Sequence, residues 1–112
     1  MSKEKIAELN DFVRKNIFEI GLTKNKSVIT SGVSALGEDN VISIIEKVKN
    51  FNDFSEDNNP FGERDFGSFD FKGTKIFWKI DYYDNQMEYL SEDKSDPDKT
   101  VRVLTVMLSS EY

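Results

Sequence analysis

Cysteine and histidine are both absent from the 112-residue chain. Without cysteine there is no disulfide framework, thiolate zinc site, iron–sulfur cluster or cysteine nucleophile, and a reducing compartment such as the cytoplasm is the expected location. Without histidine there is no Ser-His-Asp triad, imidazole general base, HExxH zinc site or imidazole pH switch. Long apolar runs are also missing. The longest cover only a few residues, far below the ~20 that a spanning helix requires, and no basic-then-apolar leader opens the chain. A chain that neither crosses a membrane nor carries an export signal is therefore expected.

What remains is 38% hydrophobic and 32% charged in 12.9 kDa, the profile of a single domain over 1–112. A chain of this length hides roughly 65% of its unfolded surface, enough for a core without covalent staples. Its formal charge is -6, so direct binding to nucleic acid or anionic lipid is disfavoured. The negative charge is concentrated in 51–98, which holds thirteen acidic and five basic residues.

Ile6, Leu9, Val13, Ile17 and Ile20 recur every three or four residues behind a capping Ser2, which predicts a helix ending at Gly21. Ser27, Val28, Ile29 and Thr30 form a short β-branched run bounded by Ser31 and Gly32, and so a brief buried strand. Glu38 and Asp39 open a second helix with the stripe Val41, Ile44, Ile45, Val48 and Phe51. The stretch 53–66 reads as an acidic loop. Beyond it, Lys72 and Gly73 make a two-residue turn that pairs Phe71 with Thr74, Asp70 with Lys75, Phe69 with Ile76 and Gly67 with Trp78. This register collects Phe69, Phe71, Ile76, Trp78, Ile80 and Tyr82 on one face and leaves Phe77, Asp81 and Tyr83 on the other.

A second turn at Asp84-Asn85 predicts a third strand, with Tyr82 opposite Met87, Ile80 opposite Tyr89 and Asp81 opposite Glu88. Asp96-Pro97 then reads as a helix start, and Val101, Leu104, Met107 and Leu108 as that helix's stripe. The expected order is α-β-α-β-β-β-α. This is an α+β domain in which a three-stranded antiparallel meander plus a short strand packs against three helices.

No cofactor motif is recognisable. The pair Gly62 and Gly67 lacks the flanking elements of a phosphate loop. A calcium loop starting at Asp53 fails because Asn58 and Arg64 occupy the positions that need glycine and bidentate glutamate. Arg64 is expected to pair with a neighbouring acid, Glu56, Glu63 or Asp65. The candidate binding residues are Asp57, Glu63, Asp81, Tyr83, Asp84, Glu88, Glu92 and Asp93, with no catalytic residue and no metal ligand assigned. Aromatics beside acids suit a basic protein surface, whereas nucleotide stacking would need surrounding Lys or Arg.

Phe77-Trp78-Lys79-Ile80-Asp81-Tyr82-Tyr83-Asp84, then Ser91-Glu92-Asp93, Asp96-Pro97 and Arg102-Val103-Leu104-Thr105, resemble a small bacterial family known as a domain of unknown function. The similarity also takes in Thr30 to Leu36, Glu56-Asp57-Asn58, Pro60, Gly62-Glu63 and Asp65-Phe66-Gly67. It implies a compact cytoplasmic domain and brings no functional residues with it. Histidine is frequent in that family near positions 61 and 64, where this chain has Phe61 and Arg64.

Two readings follow. In the first, the chain is a non-enzymatic interaction module that presents an acidic surface to a basic protein, including one that ordinarily holds nucleic acid. The second is a metal-assisted hydrolase or acid-base enzyme built on Asp57, Glu63, Asp81, Glu88 and Asp93.

Overall fold

Lys72 and Gly73 take left-handed backbone angles (φ 50° and 86°), the pairing of a type I′ turn, whose twist matches that of the strands it joins. The turn sets the register of β2 (Phe66–Phe71) and β3 (Thr74–Tyr83) as the sequence predicts: Phe71 faces Thr74, Asp70 faces Lys75, Phe69 faces Ile76 and Gly67 faces Trp78. The structure, a computed structural model, describes residues 3–18, 24–55, 59 and 62–112. Helix α1 covers Lys3–Lys15, β1 Lys26–Ile29, α2 Ser31–Ser34 and α3 Glu38–Lys49. The last strand, β4, is Val101–Leu108, followed by a 3-10 turn over Ser109–Glu111.

The predicted fold class holds, with a mixed, mostly antiparallel sheet in the order β1-β4-β3-β2. Its elements differ from expectation in several places, beginning with β1, which was expected to be buried but is an edge strand with Val28 exposed. The segment expected as a C-terminal helix is β4, which pairs antiparallel with β3 and parallel with β1. Val101, Val103, Thr105 and Val106 are β-branched and stiff at χ1, which favours a pleated backbone. As an inner strand β4 carries apolar residues on both faces, Leu104 and Val106 buried under the helices and Val101, Val103 and Met107 on the other side, so its apolar residues run on without strict alternation and mimic a helical stripe. The third helix of the fold is instead the single turn α2, capped by the Thr30 hydroxyl on the Val33 amide.

Another difference is the missing strand around Met87. Asp84 Oδ1 accepts the amides of Gln86 (3.2 Å) and Glu88 (3.1 Å), and this folds the chain into a compact loop in which Met87 is left-handed (φ 60°). A single bridge between Tyr83 and Leu90 closes it. Asp81 consequently faces Val103 of β4, not Glu88. The meander does exist, with β4 as its third strand. At the other end, α1 stops at Lys15 and Phe18 is left-handed (φ 63°), so the helix is shorter than the periodicity suggested; Ser2, Ile20 and Gly21 lie outside the described residues.

All helices cover one face of the sheet. Val13 of α1, Ile17 just past its end, Val33 of α2 and Ile44 and Val48 of α3 pack with Ile76, Trp78, Ile80, Leu104 and Val106. Trp78 is fully buried and meets Phe51 edge-on at 5.4 Å between centroids. Among the described residues, no helix is long and apolar enough to cross a membrane.

Candidate functional site

The buried stripe of α1 is not wholly apolar. Asn10 and Arg14, four residues apart, lie on the same side as Ile6 and Val13, and both are buried. Arg14 donates to the carbonyl of Lys49 (3.0 Å), at the C-terminal end of α3 where a cation complements the helix dipole, and to Asp11 (2.9 Å). Asp11 also receives Arg64 at 2.9 Å. The structural ion pair expected of Arg64 is thus made across the fold to α1 and not to its sequence neighbours Glu63 and Asp65.

Asn10 is the hub of a second polar assembly. Its amide donates to the Tyr82 hydroxyl (2.8 Å) and the Glu63 carbonyl (3.0 Å), while its oxygen accepts Arg102 Nε (2.7 Å). Tyr82 donates to Glu63 Oε1 (3.2 Å), and Lys94 closes on the same carboxylate at 2.8 Å. Arg102 donates onward to the Lys94 carbonyl, and Arg102 and Lys94 each stand 5.1 Å from the centroid of the Tyr82 ring. Burial, followed by the charges of Asp65 and Glu63, holds the Tyr82 phenol far above its usual range. Asp65 is itself pushed up, chiefly by burial and next by Glu63. Burial pushes Arg102 down, while Tyr82 and Glu63 favour its charge.

This assembly steadies the stretch 84–100 from inside. Thr100, buried, donates to the Asp93 carbonyl (2.9 Å) and shares a hydrogen bond with Ser91 (2.7 Å). Asp93 accepts the amide (3.0 Å) and hydroxyl (2.6 Å) of Ser95, bonds that hold its carboxyl below the usual range. Asp96 likewise accepts the Asp98 amide (2.9 Å). A connection of more than ~15 residues without strand or helix is uncommon in a small domain and is usually functional. Here it is cross-braced by its own aspartates.

The outside of the same stretch is apolar and acidic. Tyr89 and Leu90 are 73% and 76% exposed, and Met87 is also exposed. Together with Asp84, Asn85, Glu92 and Lys99, Tyr89 and Leu90 line an open cleft of about 440 Å³.

The eight sequence candidates therefore do not share one plateau. Asp84, Glu88, Glu92 and Asp93 belong to this loop. Glu63 lies inside the polar assembly, bound by Lys94. Asp81 and Tyr83 occupy the outer sheet face, with Asp81 paired to Lys79 at 2.7 Å. Asp57 lies outside the described residues. Asp84 and Asp93 spend their oxygens on loop amides, whereas Glu92 approaches Lys99 only at 3.7 Å. Among the described residues, no three acidic side chains gather to hold a metal ion.

Sequence reasoning missed Asn10, Lys94 and Arg102. The usable signal was a polar residue at a core-facing position of α1. For Arg102 it was hidden by the helical reading of β4.

The model of a family described as "Protein of unknown function (DUF3768)" matches residues 29–111. No curated protein and no solved structure matches the chain.

Proposed function

The chain belongs to the DUF3768 family, whose function is not established, and on that premise we propose that it is an interaction module whose 84–100 loop docks a basic protein surface. One observation carries the reading: a loop braced by internal hydrogen bonds holds Tyr89 and Leu90 out to solvent among acidic side chains. The stretch contains six acidic and two basic residues. Exposed aromatic and aliphatic side chains at the centre of a charged rim are the usual make-up of a binding hot spot. Bracing lowers the ordering cost of association. The acids would steer a cationic partner and the apolar pair would retain it. Phe77, Lys79, Asp81 and Tyr83 play no part in this contact, because they belong to the sheet face. A cytoplasmic setting fits the cysteine-free composition.

The carboxylates of the alternative hydrolase lack comparable support, since Glu63 and Asp81 are each held by a lysine in separate places. A labelled arginine- and leucine-rich peptide serves as the test probe, with a serine-substituted neutral peptide as control. Glu88→Gln with Glu92→Gln is expected to slow association and flatten its salt dependence, while Tyr89→Ser with Leu90→Ser hastens dissociation. Equal binding of both peptides, or variants indistinguishable from the parent chain, would refute the proposal.

A further inference from the structure

Arg102 is 2% exposed, yet among the described residues no carboxylate contacts its guanidinium. Its acceptors are the Asn10 amide oxygen and the Lys94 carbonyl, both neutral, and Glu63 acts on it only through space. Two of its five N–H donors are engaged in these bonds. A buried cation ordinarily has an anion against it. Lys24, which is exposed, also has neutral acceptors: its ammonium donates to the Asn85 side-chain oxygen (2.6 Å) and the Asp98 carbonyl (3.3 Å).

Both cations line one cleft of about 180 Å³. Its remaining walls are Leu9 and Phe12 of α1, Pro97, and the polar pair Asn25 and Thr100. A cavity of about 150 Å³ accommodates a benzene ring, so this one has room for a ring and a small charged group. The lining is mainly apolar, with cationic and neutral donors and, among the described residues, no acidic one.

We propose that this cleft binds a small organic carboxylate with a ring-sized apolar body. The carboxylate neutralises Lys24 and Arg102 through charge-assisted hydrogen bonds, and the body packs on Leu9, Phe12 and Pro97. Lys24 and Pro97 bring the N-terminal half and the 84–100 stretch to the same ligand. The site does not depend on the docking role proposed for the outer side of that loop, which uses Tyr89 and Leu90.

The experiment is an NMR titration with phenylacetate, its uncharged analogue phenylacetamide, and inorganic phosphate. Phenylacetate is expected to shift the amides of Leu9, Phe12 and Thr100 saturably. Phenylacetamide loses the charge and phosphate loses the apolar contact, so each binds roughly tenfold more weakly or less. Because Arg102 also supports the fold, the informative variant is Lys24→Gln. It is expected to lower the preference for acid over amide by roughly tenfold, a ratio that a small change in stability leaves unaltered. The proposal is overturned if acid and amide bind alike, if phosphate matches phenylacetate, if none binds, or if Lys24→Gln retains the full preference for the acid.

Discussion

Asp65 and Glu111 respond to acid in opposite directions. Asp65 is pushed up by burial and by Glu63, so the folded chain holds its proton more firmly than the unfolded chain does. Its cost to stability is absent below the unfolded value of 3.8 and grows as the pH climbs through the folded value. Asp65→Asn should therefore stabilise the protein at neutral pH and lose that advantage in acid, as urea unfolding at both pH values will show. Glu111 accepts the Thr30 hydroxyl and the amides of Leu108 (2.9 Å) and Gly32 (3.0 Å), and these bonds, the hydroxyl's foremost, hold its carboxyl low. Its contribution is present in full above the unfolded value of 4.5 and disappears as the pH falls through the folded value. Glu111→Gln should lower Tm at neutral pH, with the deficit closing in acid. Neither behaviour was legible in the sequence, because the burial of Asp65 and the reach of Glu111 to Thr30 and Gly32 are set by the tertiary fold.

The hairpin of β2 and β3 was legible to the residue, since turn chemistry and period-two alternation are local and agree with each other. Gly67 explains part of its packing. A Cβ there would come within 2.7 Å of the Phe51 ring and also strike the Trp78 indole. Gly67→Ala should destabilise the fold by about 1–3 kcal/mol in chemical denaturation, the range of an overpacked core. Strand β4 was not legible, because apolar residues on both of its faces erase the alternation in sequence that identifies an amphipathic strand. The loop at Asp84 was half legible: the turn residue was recognised, but its side-chain oxygen turns the chain away from strand pairing. Asp84→Ala removes that acceptor from two amides and should cost ~1 kcal/mol, with faster amide exchange at Gln86 and Glu88 as the local sign.

Across the whole molecule, sequence arithmetic located the negative charge correctly but could not distribute it. The same segment sends Glu63 inward, Asp81 to the sheet and Glu88 to the loop, because side-chain direction follows from tertiary pairing. The part of the candidate surface that stayed together is the part contiguous in the chain. Stability should be layered accordingly. Hydrogen exchange is expected to be slowest at Leu104 and Val106, buried on the inner strand, and faster at the amides around Tyr89. Rapid exchange throughout β4 would contradict the strand order.

That order has a further consequence for how the chain reaches its native state. Lys26 aligns with Val103 and Ser27 with Leu104, so β1, made before the other described strands, has β4, far along the sequence, as its neighbour in the described sheet. A nascent chain still short of residue 101 holds a β3 edge and an orphan β1 with nothing between them. The sheet closes only after synthesis has passed the strand that joins them, and its formation is governed by distant encounters, the slow regime of folding. Until then the unpaired edges are exposed to other chains, and protection by a chaperone would matter most in that interval.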